Sequence, residues 1–267
     1  MAFERNGISL FLKPRVINTK TLKHKNTKTH KHQNTKTPFP MPIPRWKKWL
    51  SHLTPLTLEE TASEHNPELS VVLSRGRVQL LSGDAIYSWD DLYKNFLLAF
   101  DRLKIDEESF QDVLILGLGL GSIPFMLEKV FHRDYYYTAV EWDETISELA
   151  AKYTLSRLKS PVDVVTGDAE IFVEITEEQY DMVIIDIFED EITPPQFCTP
   201  EFLENCKNLL RPNGLLLFNR LHGEDSAVRT VTERFFERTF KKVFPQAAYI
   251  DTTGNWILWS RKEREEL

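Results

Sequence analysis

Three acidic residues each close an apolar run of strand length: Glu141 in "YTAVE", Asp168 in "VDVVTGD" and Asp186 in "DMVIID". Upstream, in "DVLILGLGLGS", Gly117, Gly119 and Gly121 follow a similar run, three of only ten glycines in the chain. Missing side chains permit a tight turn and let a ligand approach backbone amides. An acid closing the second strand, 24 residues after Gly117, is placed to accept hydrogen bonds from both ribose hydroxyls. Asp168 could accept from an adenine amino group, cap the next helix, or do both. Asp186 closes the fourth strand and opens "DIFEDEITPP", and as the third acid at successive strand ends it reads as a functional residue. Behind it, Glu189, Asp190 and Glu191 read equally as functional acids and as a solvated acidic loop. The loop G-x-G-x-G-S lacks the third glycine of a dinucleotide fingerprint, which argues against NAD.

These residues need a frame that brings strand ends together. From residue 112 the sequence alternates regularly, predicting strands at 112–116, 135–141, 162–166, 180–186 and 214–219. Helices are predicted between them at 121–132, 143–158, 168–175 and 200–210, with another at 225–241. Continuous apolar strands alternating with helices indicate a parallel sheet covered on both faces. Two last strands, near 246–251 and 255–260, join through "DTTGN" as an antiparallel hairpin. The expected fold is α/β, a doubly wound, mostly parallel seven-stranded sheet over residues 105–267. Ahead of it, residues 41–104 form a small unit. "LSVVLSRGRVQLLSGDAIYS" predicts three short antiparallel strands within 69–88, and "WDDLYKNFLLAFDRL" a helix with Leu92, Phe96, Ala99 and Leu103 on one face. "RWKKWLSHL" at 45–53 predicts a short amphipathic helix packing Trp46, Trp49 and Leu50 on the body. Trp89 and Tyr93 are assigned to the core of the small unit, and His222 to a structural role.

Charge is unevenly distributed. Residues 1–40 carry nine Lys/Arg against the single acid Glu4, leaving 24 basic against 39 acidic residues beyond. An acidic body does not suit nucleic acid, which calls for basic stripes, and suits an amine better. Residues 18–37, "NTKTLKHKNTKTHKHQNTKT", have almost no apolar content and predict a disordered tail. Its repeats resemble translated repetitive DNA, with Met41 as the native start; His24, His30 and His32 offer a metal-binding alternative. Cys198 and Cys206 show neither a disulfide framework nor zinc spacing. With no apolar run long enough to span a bilayer and no signal peptide, the expectation is a cytoplasmic protein without metal or membrane partner.

Taken in order, "DVLILGLGLGS", "YTAVEWDETI", "VDVVTGDAEIFV" and "YDMVIIDIFEDEITPPQFCTPEFLENCKNLLRPNGLLLFN" resemble the successive motifs of class I S-adenosylmethionine-dependent transferases, and within them the spermidine synthase-like branch. "GRVQLLSG" and "WDDLYKNFLLAF" resemble that branch's small β-domain and lead-in helix. The resemblance implies a Rossmann-like methyltransferase fold and a transferase moving an alkyl group to a small, amine-type acceptor. The cofactor would be S-adenosylmethionine or its decarboxylated form. By position, Gly117, Gly119 and Gly121 would hold the methionine side, Glu141 the ribose and Asp168 the adenine. Asp186 would orient and deprotonate the acceptor, with Glu189 as second acid of the branch's D-x-x-D pair. The branch often dimerises. Where it carries an acid in the glycine loop this chain has Leu120, where it carries a glutamine in the hairpin this chain has Ile86, and Lys94 replaces the usual His or Gln after Tyr93. These departures favour methyl over aminopropyl transfer. The competing reading is a noncatalytic nucleoside sensor or scaffold.

Overall fold

The computed structural model describes residues 43–83, 85–189 and 192–262. The basic repeat, its histidines, Met41, Asp190 and Glu191 lie outside the described residues. Helix α1 (Arg45–Leu50) leads into β1 (Leu56–Thr61), β2 (Leu69–Ser74), β3 (Arg77–Ser82) and β4 (Ala85–Trp89), an antiparallel meander in the order β1-β2-β3-β4. The small unit therefore holds four strands where three were expected. β1, "LTLEET", was hidden by its glutamates: it is an edge strand, with a register shift between Thr57 and Glu59, and buries little. Helix α1 also departs from expectation, because Trp46 and Trp49 are 62% and 69% exposed and do not pack on the body.

A 3₁₀ turn (Asp90–Leu92) and α2 (Lys94–Arg102) lead to the large sheet. Its elements are β5 (Asp112–Leu116), α3 (Ser122–Lys129), β6 (Tyr136–Glu141), α4 (Glu144–Tyr153), β7 (Val162–Thr166), α5 (Ala169–Ile175), β8 (Tyr180–Ile185), α6 (Pro200–Asn208) and β9 (Leu210–Leu221). Helix α7 (Ser226–Phe235) continues through a π-helical turn (Phe236–Phe240) into α8 (Lys241–Val243), and the hairpin β10 (Ala248–Asp251) and β11 (Asn255–Arg261) closes the chain. The order β10-β11-β9-β8-β5-β6-β7 is parallel from β9 to β7, with the hairpin antiparallel at one edge. The seven-stranded doubly wound sheet is thus as expected.

Strands β5 and β8 are apolar from Val113 and from Met182 onward because both faces are covered. Phe96 and Phe100 of α2 and Ile123, Met126 and Leu127 of α3 bury one face, while Phe202, Leu203 and Cys206 of α6 and Phe235 of α7 bury the other. A third cluster joins the small sheet to the large one: Val71, Leu73 and Leu80 meet Ile146 and Leu149 of α4 and, between them, Leu120. The chain leaves β5 for β6 and β7 on one side, then returns to the other side of β5 for β8. The order therefore reverses between β5 and β8, where a crevice forms at the carboxyl ends of the strands.

Candidate active site

The strand ends are laced together one residue beyond the sheet. Gly117 N–H donates to Val140 O (2.9 Å), Asp186 N–H to Leu116 O (2.8 Å) and Gly167 N–H to Glu141 O (2.9 Å). Glu141, Asp168 and Asp186 are thereby carried to one edge. Gly117 turns the chain at the reversal point with φ +90°, and a Cβ there would lie 2.3 Å from Asp186 O. Only glycine fits between these two strand ends.

Glu141 is buried, and its carboxylate organises the glycine loop from below. Oε2 accepts from Leu118 N (3.1 Å) and Gly119 N (3.0 Å), and Oε1 from Asp143 N (3.1 Å). Burial pushes its pKa up, with Asp143 adding to the rise against the three amides. Next in sequence, Trp142 is half exposed with its ring 5.0 Å from that of His65. Asp143 caps α4 through Thr145 N and Ile146 N, and accepts from Ser63 Oγ and Asn66 Nδ2, so the β1–β2 loop is fastened beside the crevice. Asp168 does cap α5, accepting from Glu170 N (2.8 Å). Beside it, an added Cβ at Gly167 would meet nothing within 4 Å. This open strand end, between an acceptor-only carboxylate and an exposed indole, fits a nucleoside: ribose hydroxyls have Glu141 to donate to, and a base has Trp142 to lie against.

Asp186 is held differently. Its Oδ1 accepts from Tyr93 Oη (3.0 Å) and Asn219 Nδ2 (2.9 Å), and Oδ2 takes no hydrogen bond among the described residues. Asn219 Nδ2 also donates to Tyr93 Oη (3.2 Å), while its Oδ1 accepts from Asn255 Nδ2 (2.9 Å). Burial raises the Asp186 pKa to about 6; Asn219 and Tyr93 pull it down and the Glu141 charge pushes it up. One oxygen is fixed and the other is left to meet a proton donor, at a pKa suited to a base near neutrality.

The sequence-based assignment of Tyr93 to the small-unit core is corrected here. Its hydroxyl crosses 93 positions of chain to reach Asp186. Asn219 went unnoticed, although a lone amide closing the buried apolar run "LLLF" was a usable signal. Glu189 stands exposed on the loop that follows Asp186, its backbone bridged to Ile192. His222 is structural as expected, stacked on Trp256 at 3.9 Å and bonded to Glu233. Leu120 is 1% exposed and points into the seam with the small sheet rather than the crevice. Among the described residues no cluster of His, Cys, Asp or Glu could hold a metal, and no helix is long and apolar enough to cross a membrane.

Asp186 imposes a pH dependence. Any turnover needing its ionised form is expected to fall about tenfold per pH unit below about 6. Tyr93→Phe removes a donor to the ionised form and should move that acid limb to higher pH. A pH–rate profile of both proteins checks this, and an unshifted limb would separate Tyr93 from the titration.

The profile of the Spermine/spermidine synthase domain matches residues 90–258. A polyamine aminopropyltransferase of Vibrio vulnificus is 32% identical over 133 residues, covering 46% of this chain and 44% of the relative. An eEF1A lysine and N-terminal methyltransferase homolog of Drosophila melanogaster is 29% identical over 142 residues, covering 50% and 21%. The chain thus spans less than half the length of these relatives. The crystal structure of spermidine synthase from Thermotoga maritima superposes with a TM-score of 0.60 at 16% identity, covering 78% of this chain and 74% of that one. At that identity the likeness shows the fold.

Proposed function

The chain belongs to the spermine/spermidine synthase domain family, and from that premise we propose that it transfers an alkyl group from an S-adenosylmethionine-type sulfonium to an amine. The observation carrying this reading is Asp186 at the sheet's reversal point, with Oδ1 clamped by Tyr93 and Asn219 and Oδ2 without a hydrogen bond among the described residues. A sulfonium, when bound, would supply an electrophilic carbon and, as its C–S bond breaks, a neutral thioether as the leaving group. The chain's own part is then alignment and proton removal. Oδ2 of Asp186 accepts a hydrogen bond from the acceptor nitrogen, orients its lone pair and takes its proton as the new C–N bond forms. Tyr93 and Asn219 keep the carboxylate from turning away. Glu141 takes the ribose and Asp168 the base, while the glycine loop holds the methionine side. The acidic body favours a cationic amine on approach.

Leu120 bears on which alkyl group moves. An aminopropyl donor carries an ammonium without a carboxylate and calls for an acid in the loop, whereas Leu120 is apolar and buried in the seam. Methyl transfer is therefore the first reading. Aminopropyl transfer is the second, favoured by the family itself and by the Vibrio vulnificus relative.

Parallel calorimetric titration with S-adenosylmethionine and its decarboxylated form, followed by turnover with a panel of primary amines, tests both readings. Methyl transfer predicts the intact donor to bind tighter by about tenfold, the value of one charged contact. Tighter binding of the decarboxylated donor would make aminopropyl transfer the function. Nucleoside binding without turnover on any amine would leave a sensor.

A further inference from the structure

The turn of the C-terminal hairpin is built into the Asp186 site. Asn255, the first residue of β11, is half-buried and pairs with Leu221 of β9. From there its side chain reaches Asn219, Nδ2 donating to Oδ1 (2.9 Å). The same turn is fastened to α2. Thr252, 4% exposed, shares its hydroxyl proton between Asn255 O (2.8 Å) and Asn95 Oδ1 (3.2 Å). Asn95 is the second residue of α2, and Tyr93 is the residue that precedes that helix. Tyr93 and Asn219, the two donors to Asp186, are thus tied to each other through the hairpin.

A primary amide has a donor side and an acceptor side, and half a turn exchanges them. Asn219 is fully buried, so its neighbours alone set its orientation. As it stands, both Nδ2 protons are used, on Asp186 Oδ1 (2.9 Å) and Tyr93 Oη (3.2 Å), and Oδ1 takes the proton of Asn255. Turned over, Oδ1 would oppose an ionised Asp186, acceptor against acceptor, but would suit a protonated one, which has a proton to give. With Asn255 in place, Asn219 Oδ1 is satisfied where it is. Without that donor a buried acceptor is orphaned, and the amide gains by turning towards protonated Asp186. We propose that Asn255 is a positioning residue: acting through Asn219, it holds Asp186 in the ionised form that takes a proton from the acceptor amine. This rests on the reading of Asp186 as the base of alkyl transfer. The titratable groups facing Asp186 are Tyr93 and, through its charge, Glu141 of β6. Asn255 carries no charge, so its influence runs through the amide.

The test follows the Asp186 titration by carbon-13 NMR of the full chain labelled at aspartate carboxyls, without substrate, using Asp186→Asn to assign the resonance. Asn255→Ala should raise the Asp186 midpoint by about one pH unit, the value of one hydrogen bond. Asn255→Asp, which only accepts when ionised and so draws Nδ2 away from Asp186, should raise it by about two. Asn255→Ser keeps a polar group at the turn but is too short to reach Asn219, and it carries the one-unit expectation if Asn255→Ala does not fold. In the pH–rate profile the acid limb should move with the NMR midpoint. A midpoint unmoved in folded Asn255→Ala or Asn255→Ser would mean that Asn255 turns freely with its neighbour, and would overturn the proposal. Because no substrate enters the titration, absence of turnover on every amine would count against the transfer reading and not against this contact. An unmoved midpoint beside normal turnover would remove the positioning role alone.

Discussion

Asp186→Asn is expected to lower turnover by about 10²- to 10⁴-fold, the range for removing a general base, while leaving nucleoside affinity within about threefold. The separation follows from placement. In the proposed reading Glu141 and Asp168 serve the nucleoside, whereas Asp186, bonded to Tyr93 and Asn219, serves the acceptor amine. The substitution keeps an acceptor oxygen for those two donors and removes only the group that takes a proton. It should also stabilise the fold. Raising the pKa from 3.8 to about 6 means that the ionised carboxylate is disfavoured in the folded state. Its contribution is most favourable below pH 3.8 and is lost as pH rises to about 6, a cost of about 3 kcal/mol at neutrality. A neutral amide escapes that cost, so a gain of about 1–2 kcal/mol in denaturant unfolding at pH 7 is expected, together with a flatter stability profile between pH 4 and 6. Lost turnover with lost stability would instead mark Asp186 as a structural acid.

Gly117→Ala should have the largest effect on folding of any single methyl group added to the crevice. The new Cβ would sit 2.3 Å from Asp186 O and 2.8 Å from Asp186 C, both backbone atoms fixed by the β5–β8 pairing, at a residue with φ +90°. No rotamer change relieves a backbone clash, so β8 must move away from β5. The expected cost is about 3–5 kcal/mol, read as a lower unfolding midpoint in urea. Gly83→Ala separates the two contributions: its φ is also positive, at +54°, but an added Cβ meets nothing within 4 Å, so only about 1 kcal/mol of backbone strain is expected. Because Asp186 follows the displaced strand, surviving Gly117→Ala protein should also lose turnover. Equal costs at the two glycines would remove the close approach from the account.

Much of this was legible in the sequence because its causes are local. The period of "DVLIL" and "DMVII" marks strands buried on both faces, and an acid ending each of three strands needs only strand boundaries to be noticed. The Asp168 cap and the "DTTGN" hairpin depend on residues two to five positions apart, and both formed as read. Less local features were missed. Strand β1 carries glutamates that mask its alternation, since an edge strand answers to solvent as much as to the core. The tryptophans of α1 have helical spacing, yet what a short helix packs against is not encoded in its own period. Tyr93 looked like core because an aromatic after "WDDL" gives no hint of a partner 93 residues away, and Asn219 looked like the end of an apolar strand.

The doubly wound sheet, the glycine loop and the placement of Glu141, Asp168 and Asp186 at strand ends can all be read from local sequence, because periodicity and turn chemistry act within a few residues. Which groups Asp186 meets, that Glu189 is exposed, and that Leu120 faces the small sheet follow instead from packing between distant elements. Those outcomes depend on the order β9-β8-β5 and on how α2 and the small sheet pack against it. Strand order is fixed by the summed burial of both faces, and no short stretch of the chain carries it alone.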